Sequence, residues 1–367
     1  MSELKSISAM PEKKIEVTTS RQFASWLASK RCSLVFTTYQ VGKIFMVGLS
    51  ADGKVHITER TFPRCMGLGI TDNGFWMSSI FQLWRFENSL LKGQRFKDYD
   101  KVFIPQVAYT TGDLDIHDID VDPDGTPFFV NTLFSCIATI SETHSFKPLW
   151  KPPFISKLLP EDRCHLNGMA TENGRPKYVT MVGKSDVADG WREHRSDGGL
   201  LIEVETNEVV CDGLSMPHSP RLHEGKLYML EAGTGYFGAV DLAKGKFERI
   251  CFCPGFLRGL DFIDGYAIVG TSAIRENRTF EGLELDENLK KVGAEARCAL
   301  HIINLGTGAI EHWVRAEGII QELYDIKVLP NVQKPLLIGT QKEDIRTMLS
   351  IEENRSRKGP TYEKQAD

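Results

Sequence analysis

The strongest constraint on the fold is a repeat. Six stretches share one design: "CMGLGI" at 65–70, "IHDIDV" at 116–121, "LNGMA" at 166–170, "HSPRL" at 218–222, "LRGLDF" at 257–262 and "LYDIKVL" at 323–329. Each holds a small or polar residue followed by an alternating apolar strand. With Gly67, Asp118, Gly168, Ser219, Gly259 and Asp325 taken as equivalent, the spacings are 51, 50, 51, 40 and 66 residues. In the first five a turn ends six or seven residues later, at Gly74, Gly125, Gly174, Gly225 and Gly265. Glycine supplies positive φ there, and the preceding Asp or Asn bonds its own backbone. Second strands follow ("FWMSSI", "FFVNTL", "KYVTMV", "KLYMLE", "YAIVGT"), then third and fourth strands, as in "FGAVDLAKGKFERICF". Four short strands per repeat predict an all-β fold, a β-propeller with four-stranded antiparallel blades. Period-two β-branched runs and glycine turns exclude helical solenoids.

The chain start, "KIFMVGLSADGKVHITERTF", reads as a third and fourth strand without a first. The chain end, "YDIKVLP" and "KPLLIGT", reads as a first and second strand without a third. Together they close the ring and leave no free edge. "SLVFTTYQ" at 33–40 competes with "KPLLIGT" for the second-strand place. Six blades is the expectation, with seven as the alternative count. Residues 1–30 form an N-terminal extension with a short helix, its N-cap at Ser20 and apolar spacing at Phe23, Trp26 and Leu27. Residues 31–345 form the propeller. Residues 346–367 form a charged tail expected to be disordered.

The repeat also decides a metal look-alike. "DVDPDGTPFFVN" at 120–131 begins like a calcium loop, but Asn131 stands where a bidentate Glu is needed and Phe128 where an acid is needed. It reads as a turn between two strands. "GTGYFG" at 233–238 has dinucleotide-type spacing but opens no helix, so no nucleotide cofactor is expected. The net charge is −5 without basic runs, which argues against nucleic acid and a polybasic membrane anchor. No apolar run is long enough to span a bilayer, and the N-terminus lacks a secretory core. The eight cysteines form no CxxC pair and read as reduced core thiols of a cytoplasmic protein.

In a blade the first strand lines the channel. The long insertions, 106–115, 151–164, 183–199 and 272–297, all fall on the face where those strands begin, which points to a binding site there. The residues just before the equivalent positions are Met66, His117, Asn167, His218, Arg258 and Tyr324. Two residues earlier stand Arg64, His165 and Glu322, which share that facing if the strand is extended. His117, His165 and His218 come from consecutive repeats and form a candidate three-His divalent metal site, for iron, zinc or manganese. Arg258 suits a carboxylate or phosphate, and Tyr324 and Glu322 are candidate acid and base. Arg64, Asn167, Asn131 and Glu231 are candidate substrate contacts.

The six polar–small–apolar units with their Asx-Gly turns resemble six-bladed propellers of the gluconolactonase and strictosidine-synthase type, over residues of about 33–341. That resemblance implies small-molecule binding at the channel mouth, often with a divalent cation. The gluconolactonase metal set uses Glu and Asn or Asp, whereas the matching positions here carry His. "FTTYQVGKIFMVGL", "HDIDVDPDGTPFFVNTLFSCIATI" and "HLNGMA" also look like an uncharacterised bacterial family of similar length, which implies no activity. The expectation is a metal-dependent hydrolase or lyase acting on a small polar or anionic metabolite. The alternatives are a non-catalytic propeller binding a metabolite or peptide, and a protein-interaction scaffold. The sequence leaves the oligomeric state open.

Overall fold

The structure is a computed structural model that describes residues 15–273, 282–341 and 343–351 of the chain. It is a six-bladed propeller. The closing blade takes its first strand, Ile326–Pro330, from the chain end and the others, Cys32–Thr38, Lys43–Leu49 and Val55–Thr61, from the chain start. The second blade is Leu68–Ile70, Gly74–Ser78, Gln82–Asn88 and Lys101–Thr110; the third is Ile116–Val121, Pro127–Asn131, Cys136–Thr139 and Lys147–Trp150. The fourth is Leu166–Glu172, Arg175–Met181, Gly199–Glu203 and Val209–Leu214. The fifth is Pro217–His223, Lys226–Glu231, Tyr236–Asp241 and Lys246–Phe252. The sixth is Phe256–Ile263, Tyr266–Ser272, Ala299–Asn304 and Ile310–Glu317, with Glu16–Thr19 added at its outer edge.

The contest for the second-strand place goes to "SLVFTTYQ". Cys32–Thr38 is buried along its whole length, as a strand between two neighbours and two sheets must be. "KPLLIGT" corrects the expectation: Pro335–Leu337 instead pairs parallel with Lys101–Phe103 at the outer edge of the second blade. The chain reaches that edge by crossing Gly48, where a Cβ would lie 2.4 Å from the Gln333 carbonyl oxygen. The strand Lys101–Thr110 also claims part of the expected 106–115 insertion. The helix Phe23–Lys30 buries Phe23, Trp26 and Leu27 as its spacing requires, against the closing and sixth blades. Its cap residue is Gln22, not Ser20, whose hydroxyl is turned toward His312 and Trp313. Of the expected disordered tail, residues 352–367 lie outside the described residues, and Asp344–Thr347 forms a helical turn.

"DPDG" is a turn. The Asp122 carboxylate accepts from the N–H groups of Asp124 and Thr126, each at 2.9 Å, and Gly125 takes φ 80°. All eight cysteines are free and buried.

The equivalent positions of the repeat form the inner ring, and they alternate. Asp325, Asp118 and Ser219 stand on the first, third and fifth blades, and Gly67, Gly168 and Gly259 on the blades between. Each polar side chain bonds the next blade: Asp325 Oδ2 accepts from Leu68 N at 2.8 Å, Asp118 Oδ2 from Met169 N at 3.0 Å, and Ser219 Oγ from Gly259 N at 3.2 Å. Each glycine then packs on the following blade. A Cβ on Gly168 would sit 2.9 Å from Ser219 N, and one on Gly259 2.8 Å from Ile326 N. Arg221 reaches across the channel to Asp118 in a bidentate pair at 2.7 and 2.9 Å.

Candidate active site at the channel mouth

Four blades begin their first strand with the same kink. Arg64, Asp115, His165 and Met216, each three residues before the equivalent position, take left-handed φ of 48°, 51°, 50° and 45°. In two of them the kinked carbonyl orients a histidine. Asp115 O lies 2.8 Å from His117 Nδ1, and Met216 O lies 2.8 Å from His218 Nδ1. A carbonyl can only accept, so Nδ1 carries the proton in both rings and Nε2 is the acceptor. His165 is fixed in another way: its Nδ1 lies 2.8 Å from Asp162 Oδ2. The same Asp162 oxygen accepts from Trp191 Nε1 at 2.8 Å, and the Trp191 ring lies 4.2 Å from that of His165.

These rings meet. His117 stands edge-on to His165 with centroids 5.0 Å apart, and to Tyr324 at 5.4 Å. Asn167 Nδ2 donates to His218 Nε2 at 3.0 Å. The Arg258 guanidinium lies 4.8 Å from the Tyr324 ring centre and 5.4 Å from that of Phe256. His117, Asn167, His218, Arg258 and Tyr324 line one cavity, above Asp118, Ser219 and Asp325. It is small, about 10 Å³, room for about one water.

Burial dominates the electrostatics. It pushes the His117 imidazole down to about 4, with nearby His165 and Arg258 adding to the effect against the pull of Asp115. Burial, then Arg258, holds His218 well below its ordinary value. Burial lifts the Tyr324 phenol well above its ordinary value. At neutral pH the mouth therefore presents uncharged imidazoles and a protonated phenol beside a guanidinium. Among the described residues Arg258 forms no ion pair, and the Tyr324 hydroxyl and Arg258 Nε have no hydrogen-bond partner.

The other candidates stand elsewhere. Arg64 is turned by its kink to Asp113 and lies 4.0 Å from Asp115, so extended-strand facing does not hold at that position. Asn131 Oδ1 caps a turn at Phe134 N, 3.1 Å away. Glu231 accepts from Ser215 N and Thr234 Oγ1 and pairs with Arg249 at 3.4 Å. Glu322 is buried two residues before Tyr324, in the segment that leads into the strand Ile326–Pro330. None of these four lines the mouth cavity. Among the described residues no three His, Cys, Asp or Glu side chains stand so as to hold one ion. Sequence reasoning missed Asp162; the available signal was an acid three residues before His165 in "DRCH".

Residues 21–338 match the family described as Domain of unknown function (DUF4915). The chain belongs to that family. No curated protein sequence matches this DUF4915 chain. Solved structures do. The crystal structure of a nidogen/laminin complex has 12% identity and a TM-score of 0.51, covering 82% of this chain and 99% of that one. A protein of unknown function from Bacteroides caccae has 11% identity and a TM-score of 0.45, covering 81% and 98%. Virginiamycin B lyase from Staphylococcus aureus has 12% identity and a TM-score of 0.38, covering 83% and 99%. At 12% identity the likeness to the nidogen/laminin structure is one of fold alone. No helix among the described residues of this DUF4915 chain is long and apolar enough to cross a membrane.

Proposed function

We propose that this chain is an enzyme that acts at the channel mouth on a small polar or anionic metabolite, by elimination or hydrolysis driven by proton transfer. One observation carries the reading: Arg258, at the mouth, has no carboxylate partner among the described residues and is flanked by two uncharged imidazoles and a protonated phenol. A guanidinium in such surroundings attracts a carboxylate or phosphate and holds it bidentately. His117 Nε2, unprotonated at neutral pH, is then the base, and the Tyr324 hydroxyl donates to the oxygen on which charge develops. The cavity holds about one water, so a substrate displaces side chains on entering. Arg258, partly exposed and long, is the outermost of them.

Calorimetry with malonate and with phosphate tests this. Binding at least tenfold weaker in Arg258→Met than in the native chain is the expected result. No binding of either anion, or binding unchanged in the variant, overturns it. Anion binding that survives screening of small carboxylate and phosphate esters without turnover replaces the enzyme reading with a non-catalytic binding module.

A second reading keeps a divalent ion on His117, His165 and His218. The anchoring of all three Nδ1 atoms supports it, since this leaves Nε2 as the ligand atom, the usual arrangement around metal-bound histidine. Because no three such side chains among the described residues stand so as to hold one ion, the rings would have to shift and Asn167 would have to leave His218 Nε2. Such an ion would supply Lewis acidity. Elemental analysis of protein purified without chelator or nickel decides: about one transition metal per chain, lost in His117→Ala/His218→Ala, supports it. Metal-free protein whose melting is unmoved by zinc, iron or manganese removes it and leaves the first reading standing.

A further inference from the structure

The opposite end of the channel holds a second cavity, about 400 Å³, within the usual range for small-ligand sites. Its polar lining comes from the first strands, two residues beyond the equivalent positions: Asp120, Arg221, Asp261 and Lys327. Lys327 is only 9% exposed, yet among the described residues its ammonium makes no ion pair and no hydrogen bond. The ammonium itself is not among the side-chain atoms sealed from solvent without a partner; the residue stands on the cavity wall, and its charge acts on Asp325. Asp120 and Asp261 are also in no ion pair among the described residues. Their contacts are neutral donors: Thr171 Oγ1 at 2.6 Å and Val121 N for Asp120, Val328 N at 2.7 Å and Phe262 N for Asp261. Arg221 is committed to Asp118, and Asp325 to the N–H groups of Leu68 and Ile326.

The cavity thus presents one cation and two carboxylates that stand in no ion pair among the described residues and do not neutralise one another by contact. A simple anion would meet two carboxylates, and a simple amine would meet a buried ammonium. A molecule with both charges satisfies each. We infer that the far mouth binds a small zwitterion of the amino-acid class, its carboxylate on Lys327 and its ammonium between Asp120 and Asp261.

Calorimetry on the full chain tests this with L-alanine, γ-aminobutyrate, propionate and n-propylamine. At least one zwitterion is expected to bind, with propionate and propylamine at least tenfold weaker. Lys327→Met is expected to weaken zwitterion binding at least tenfold, compared in chains that both carry Arg258→Met, a control that removes carboxylate binding at the other mouth. Asp261→Asn, on a partly exposed residue, supplies the same test if Lys327→Met fails to fold. Absence of zwitterion binding, equal binding of the singly charged probes, or full binding in the Lys327 or Asp261 variant overturns the assignment. The Arg258 control separates its failure from failure of the catalytic-mouth reading.

Discussion

The buried neutral histidines make a quantitative prediction about acid stability. His117 has a folded-state pKa of about 4 because burial disfavours its charged form, against 6.5 when exposed. Between those values the unfolded chain binds the proton and the folded chain does not, so stability falls as pH drops through this window. At pH 5 the loss attributable to His117 is about 2 kcal/mol, rising to about 3 kcal/mol at pH 4; above 6.5 it vanishes. His117→Asn removes the titration and keeps an N–H donor toward the Asp115 carbonyl. Urea unfolding of both proteins at pH 7.5 and pH 5 gives four stabilities. The drop between the two pH values is expected to be about 2 kcal/mol smaller in the variant. His218 and His301 are displaced the same way but remain in both proteins and cancel. Equal drops in the two proteins would refute the claim that His117 is buried in its neutral form.

Three further outcomes are expected in urea unfolding at neutral pH. Asp118→Ala removes the bidentate partner of Arg221, leaving it Asp325 at 4.0 Å and the Met169 and Pro220 carbonyls, and is expected to cost about 2–3 kcal/mol, whereas Asp118→Ala/Arg221→Met costs less than the sum of its parts. Gly259→Ala meets Ile326 N at 2.8 Å and is expected to cost about 2–4 kcal/mol; Gly225→Ala, with similar φ and open space, costs only the left-handed penalty of about 1–2 kcal/mol. Trp191→Phe removes one donor from Asp162 and is expected to cost about 1–2 kcal/mol.

The blade pattern was legible because each blade repeats the same local chemistry: a small or polar residue, an alternating strand, an Asx-Gly turn. Such signals are written into adjacent residues. The closing blade was half legible. "YDIKVLP" and "KIFMVGL" took their expected places, but "KPLLIGT" has the same apolar pattern as a second strand, and only long-range competition with the fully buried Cys32–Thr38 sends it to a neighbouring edge. Alternation placed His117, Asn167, His218, Arg258 and Tyr324 at one mouth. It failed at Arg64, because a left-handed residue breaks the two-residue period and no side-chain pattern announces one at a non-glycine position. His165 shares that kink, yet it reaches His117 because Asp162 and Trp191 hold its ring there, a tertiary arrangement with no periodic trace.

The first strands separate two kinds of polar residue. At the equivalent position itself the polar groups are consumed by the ring: Asp118, Ser219 and Asp325 each bond the next blade, and glycine on the intervening blades makes room for that approach. One residue before and two residues after, side chains serve closure only in part: Asn167 bonds His218, Asp120 bonds Thr171 and Asp261 bonds Val328 N, each on the next blade. A ring of blades would close with apolar side chains there, as it does at Met66 and Ala170, both fully packed. Yet these positions carry His117, Asn167, His218, Arg258 and Tyr324 at one end and Asp120, Asp261 and Lys327 at the other, several of them buried or lacking a charged partner among the described residues. Burying polar groups beyond those that closure uses lowers stability. The two proposed ligand sites would draw on those of these groups that lack a charged partner among the described residues, at the two open ends of one channel.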